Sequence, residues 1–138
     1  MSHQSRSFKQ DLAALLWSAG IACLLLLPGE MLEPRWLEPL WLRLAEEAAH
    51  GVLFFGMAIL VQRARLPRGG SAGAATIATC LAYAILLELL QIPVPGRGFE
   101  TIDIVVAALG IFAAVGLTGI LVRSPRVSGG WSRTSMKP

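Results

Sequence analysis

The alternation of apolar and polar positions divides the chain into four long apolar stretches separated by short polar or proline-containing segments. They run from Leu12 to Leu27, Leu44 to Val61, Ala72 to Leu90 and Ile102 to Val122. Each approaches the ~20 apolar residues that cross the hydrocarbon of a bilayer, the first being rather short. A backbone exposed to lipid must satisfy its amide groups internally, so such segments are helical. The expected fold class is therefore all-α: a polytopic membrane protein built as a four-transmembrane-helix bundle. Residues 1–123 form its single domain, with helices over about 12–27, 44–61, 72–90 and 102–122. Residues 124–138 contain Pro125, Gly129, Gly130 and several serines, and read as a disordered cytoplasmic tail.

Composition agrees with the pattern. Of the 138 residues, 54% are hydrophobic and 15% charged, well away from ordinary soluble proteins. The formal net charge of +3 does not point to nucleic acid, because the basic residues sit in tails and loops rather than along one helix face. Cys23 and Cys80 fall within apolar stretches, where free cysteine behaves as a small hydrophobe. No CxxC and no zinc or redox spacing accompanies them.

The basic residues set the expected orientation. Arg6 and Lys9 precede the first apolar stretch; Arg63, Arg65 and Arg68 follow the second; Arg123, Arg126, Arg133 and Lys137 follow the fourth. All three groups lie on one side of a four-span topology, and loops rich in lysine and arginine face the cytoplasm, so both termini are expected inside. Asp11 stands at a plausible N-cap for the first helix. This start resembles a signal peptide, but Leu27, Pro28, Gly29 and Glu30 provide no small-x-small cleavage site, and a retained first helix is expected. The outer loop from Pro28 to Arg43 carries Trp36 and Trp41 among leucines and glutamates. It reads as an amphipathic segment lying in the membrane interface.

Candidate chemistry concentrates between Glu88 and Gly110, where Glu88, Gln91, Arg97 and Asp103 stand among lipid-soluble neighbours. A carboxylate among apolar helix residues is costly unless paired, protonated or facing a wet cavity, which marks it for function. At the start of the second helix, Glu46 and Glu47 precede His50 by four and three residues, placing a carboxylate beside the imidazole. The topology brings His50, Glu88 and Asp103 to one level near the outer headgroups. Arg97 sits above them on a turn stiffened by Pro93 and Pro95, in which Gly96 permits an unusual backbone angle.

Small residues at helical spacing, among them Ala84 in the third helix and Ala107, Gly110 and Ala114 in the fourth, read as helix-packing positions. Homo-oligomerisation is left open. Taken singly, His50 reads as a packed histidine, Asp103 as a helix cap and Arg97 as a snorkelling surface charge. Taken together, they read as a binding cluster of Glu47, His50, Glu88, Gln91, Arg97 and Asp103, with a structural ion-pair network as the alternative. A single histidine argues against a metal centre, so no metal and no cofactor are assigned.

The order ExxQxxxPGR then DxxxxxxG, carried by Glu88, Gln91, Pro95, Gly96, Arg97, Asp103 and Gly110, resembles the VanZ-like membrane proteins. His50 with Phe54 and Gly56 is similar to that family's histidine-bearing second helix. The resemblance spans Glu46 to about Gly116. It departs where the family commonly has a lysine three residues before the histidine, here Glu47, and an asparagine four after the aspartate, here Ala107. It implies a bacterial inner-membrane protein that binds or modulates a cell-envelope component at the outer leaflet. The partners expected are membrane lipids and a lipid-linked cell-wall or polysaccharide precursor, with a link to glycopeptide (teicoplanin) resistance. It implies no catalytic activity. An enzyme acting on a lipid-linked substrate, or a lipid transport or scrambling protein, are the alternatives. The scrambling reading is disfavoured because the polar residues do not continue to the cytoplasmic side.

Overall fold

A computed structural model of the protein describes residues 3–28, 40–66 and 72–123. Four helices account for most of them: α1 (His3–Leu25), α2 (Leu40–Arg65), α3 (Ala72–Gln91) and α4 (Thr101–Arg123). There is no strand among the described residues. Three helices are long and apolar enough to cross a membrane, over Phe8–Leu25, Gly73–Gln91 and Thr101–Leu121. The interfacial segment expected in the outer loop lies largely, and the C-terminal tail wholly, outside the described residues.

The observed helices overrun the apolar stretches. α1 starts at His3 rather than near residue 12, and Asp11 lies well inside it, so Asp11 does not cap it. The reason is that residues 3–10 contain neither proline nor glycine, and polar residues without a breaker extend a helix once its apolar part is held. α2 likewise begins at Leu40, directly after Pro39 in the sequence, and ends with Arg63 and Arg65 in its last turn.

Polarity is inverted relative to a water-soluble bundle. Leu15, Leu16, Val52, Leu109, Ile120 and Leu121 are among many large apolar side chains pointing outward, whereas His50, Gln62, Thr76, Glu88 and Gln91 are buried. Contiguous outward apolar surface on this scale marks a chain whose solvent is lipid. α2 packs against all three other helices, most extensively against α4. Its Phe54, Met57 and Ala58 share a core with Ile21 and Leu25 of α1, Cys80, Ala84 and Leu87 of α3, and Ala107, Ile111 and Ala114 of α4.

Two close contacts fix this arrangement. A Cβ on Gly110 would overlap the Gly51 carbonyl oxygen, so α2 and α4 meet backbone to backbone at this point. Close approach of that kind requires small residues on both helices. On the other side of α2, the Trp17 ring lies over Gly56 and its indole N–H donates to the Leu53 carbonyl at 3.0 Å. α1 is tied to α3 by the Tyr83 hydroxyl, which donates to the Ser18 carbonyl at 2.6 Å.

Candidate functional site: a buried histidine and two carboxylates

Three helix segments converge at one end of the bundle: the last turn of α3, the first turn of α4 and the stretch of α2 around His50. The connection from α3 to α4 is short and tightly hydrogen-bonded. The Val94 N–H donates to the Gln91 carbonyl at 2.9 Å and the Arg97 N–H to the Val94 carbonyl at 3.1 Å. Gly96 has φ 73°, a left-handed angle open to glycine and costly for other residues.

Glu88, 3% exposed, reaches across this connection, and its Oε2 accepts from the Glu100 N–H at 3.1 Å. Glu100 immediately precedes α4, where backbone N–H groups have no partner within the helix. The side chain of α3 thus clamps the start of α4.

The Asp103 N–H donates to the Glu100 carbonyl at 3.1 Å, which places Asp103 within the first turn of α4. Asp103 is therefore not the N-cap, and its carboxylate extends towards α2. There its Oδ2 stands 3.6 Å from Nε2 of His50. The other ring nitrogen, Nδ1, lies 3.2 Å from the Glu46 carbonyl, one helical turn earlier. A carbonyl can only accept, so Nδ1 carries a proton. Nε2 is buried and has no hydrogen-bond partner, since 3.6 Å is too long for one. His50, Glu88 and Asp103 each present one ligand-type atom, and these atoms all lie within 4.8 Å of one another.

The remaining sequence candidates have different surroundings. Gln91 is 2% exposed, and its Nε2 donates to the Leu25 carbonyl at 2.9 Å, satisfying an acceptor at the end of α1. Its amide thus anchors one helix to another. Replacing it with leucine should cost about 1–2 kcal/mol by leaving a buried carbonyl unpaired, measured as a shift of the unfolding midpoint in detergent.

Arg97 donates through Nε to the Leu27 carbonyl at 3.5 Å. It borders a cleft of about 210 Å³ together with Glu46, His50, Leu24, Leu25, Leu27 and Leu53. Glu46, four residues before His50, borders this cleft; Glu47 is half-buried on α2. Leu24 and Leu25 at the end of α1, and Leu27 just after it, were invisible as site residues in the sequence, because nothing in an apolar run tells which members face a cleft.

A larger cleft of about 460 Å³ involves Asp11, Ser18, Arg65, Thr79 and Tyr83. Several of its polar groups are engaged with one another or with backbone: Arg65 donates to the Thr79 hydroxyl at 2.8 Å and Tyr83 to Ser18. Buried polar atoms without a hydrogen-bond partner include Gln10 Oε1, Gln62 Oε1 and Thr76 Oγ1 as well as His50 Nε2; His50 differs in standing in one cluster with Glu88 and Asp103.

No protein-family model matches the chain, and no characterised protein or solved structure shows significant similarity to it.

Proposed function

We propose that the chain is a four-span protein of the bacterial inner membrane, with both termini in the cytoplasm. We further propose that it binds or modulates a cell-envelope component, a lipid-linked glycan or phospholipid headgroup, at the outer leaflet. α2 has the length for a fourth span, its 26 residues extending about 39 Å. Its lower apolarity is compatible with crossing because it packs against all three other helices and buries His50 and Gln62. Arg63 and Arg65 end α2 away from the His50 cluster, and an excess of basic residues on that side supports a cytoplasmic location for it, with the cluster on the outer side.

One observation carries the binding reading. The Arg97 cleft is lined by Arg97, Glu46 and His50 together with four leucines, a mixture of charged and apolar side chains that suits an amphiphile at the junction of headgroup and chain. A guanidinium suits phosphate through its planar fork of donors. The resemblance of the Glu88–Arg97–Asp103 pattern to VanZ-like proteins supports an envelope ligand and extends the proposal to teicoplanin susceptibility.

Native mass spectrometry of the purified wild type and Arg97→Ala tests it. A specific anionic or glycan lipid should be retained by the wild type and at least tenfold depleted in the variant. Equal retention of the same bulk phospholipids by both proteins would overturn the proposal.

The buried, unpartnered ring nitrogen of His50 in a cluster with two carboxylates favours a second reading, an enzyme that moves a proton on a lipid-linked substrate. Turnover of a labelled lipid substrate that disappears in Asp103→Asn would establish it.

A further inference from the structure

We infer that His50, Glu88 and Asp103 form a binding site for one divalent transition-metal ion, with Zn²⁺ the best match to one imidazole and two carboxylates. This goes beyond the lipid-binding proposal and does not depend on it.

The first support is the state of His50. Its Nδ1 proton is committed to the Glu46 carbonyl, which leaves Nε2 as the nitrogen through which the ring would bind a metal. A ligating histidine is held in just this way, with its second nitrogen donating to a backbone carbonyl that fixes the tautomer and the ring orientation. Nε2 is buried, lacks a hydrogen-bond partner and faces the Asp103 carboxylate, with Glu88 in the same cluster. A buried ring nitrogen without a hydrogen-bond partner is costly to maintain, and a metal would satisfy it.

The second support is spacing. Bonds of about 2.1 Å to a tetrahedral Zn²⁺ put neighbouring ligand atoms about 3.4 Å apart. His50 Nε2 and Asp103 Oδ2 are 3.6 Å apart, and the whole set lies within 4.8 Å, so a small rotation of a carboxylate completes the triangle. The third support is rigidity. The Glu88 carboxylate is oriented by the Glu100 N–H, and the two helices that carry His50 and Asp103 are held together by the Gly51–Gly110 contact. Three protein ligands leave a coordination position for an exogenous oxygen, as in zinc sites that bind or act on ligands.

The full-length chain, purified in detergent with any affinity tag removed and stripped with a chelator, should bind one equivalent of Zn²⁺ by isothermal titration calorimetry. It should retain that ion through desalting, as read by elemental mass spectrometry. Mn²⁺ and Mg²⁺ should bind more weakly. Asp103→Asn and Glu88→Gln should each weaken Zn²⁺ at least tenfold, the effect typical of changes to or around a metal ligand, and His50→Gln should abolish the site. Arg97→Ala should keep wild-type Zn²⁺ affinity, which separates failure of this inference from failure of the lipid-binding proposal.

A wild-type measurement guards against variants that do not fold. In ¹⁵N-histidine-labelled protein, the His50 Nε2 resonance should move on addition of Zn²⁺. An unmoved His50 resonance, no saturable site near one equivalent, or equal affinity in folded variants would overturn the inference.

Discussion

Gly110→Leu should abolish the folded bundle, and Gly110→Ala should destabilise it by about 1–3 kcal/mol, the usual cost of forcing extra atoms into a packed contact. The obstruction at Gly110 is backbone: an added Cβ meets the carbonyl of Gly51 and the amide nitrogen of Phe55, neither of which can move unless α2 moves as a whole. The reverse substitution is milder. A Cβ at Gly51 would meet a Val106 methyl at 3.0 Å, and that side chain can rotate away. Gly51→Ala should therefore cost less than Gly110→Ala, and the order of the two is the informative result. Both would be measured by thermal or denaturant unfolding in a fixed detergent. Equal, negligible costs would show that α2 and α4 do not touch through their backbones. The same contact matters for the site, because Gly51 adjoins His50 and Gly110 lies two turns along α4 from Asp103. Separating the helices at the glycines draws the imidazole from the carboxylate.

Much of this architecture was legible because membrane helices announce themselves by unbroken apolar length. The all-helical fold and three of the apolar spans could be read that way. The termini of α1 and α2 could not, since residues such as His3 to Gln10 and Leu40 to Arg43 carry no lipid-length apolar signal. Only continuity with a packed segment makes them helical. The convergence of His50, Glu88 and Asp103 followed from topology, given short connections and alternating helix directions.

Individual roles did not follow so readily. Asp103 near a helix start reads as a cap until the backbone bond to Glu100 puts it inside the first turn and turns its carboxylate to α2. Gln91 reads as a site residue because it is polar and follows Glu88 by three. Its bond to the last carbonyl of α1 depends on where α1 ends in space, which no spacing within α3 encodes. Which ring nitrogen of His50 faces the cluster depends on the carbonyl that its other nitrogen meets, again a matter of geometry.

Glu88 should separate structure from chemistry most sharply. Glu88→Ala removes the acceptor of the Glu100 N–H and leaves a part-buried donor at the start of α4, which should cost about 1–3 kcal/mol. It also opens a void beside His50. Glu88→Gln keeps an amide oxygen that can accept the same bond in a side chain of nearly the same shape, so its cost should stay below about 1 kcal/mol. What glutamine cannot supply is negative charge towards His50 and Asp103. A cluster that serves only to hold α3 against α4 would therefore tolerate Glu88→Gln in every assay and suffer only from Glu88→Ala. A cluster that holds a cation or moves a proton would lose that property in Glu88→Gln while the bundle remains folded. Unfolding midpoints of the two variants, measured alongside Zn²⁺ titration and lipid retention on the same preparations, distinguish these outcomes. A glutamine variant as unstable as the alanine variant would instead place the carboxylate's charge, rather than its hydrogen bond, at the root of the α3–α4 clamp.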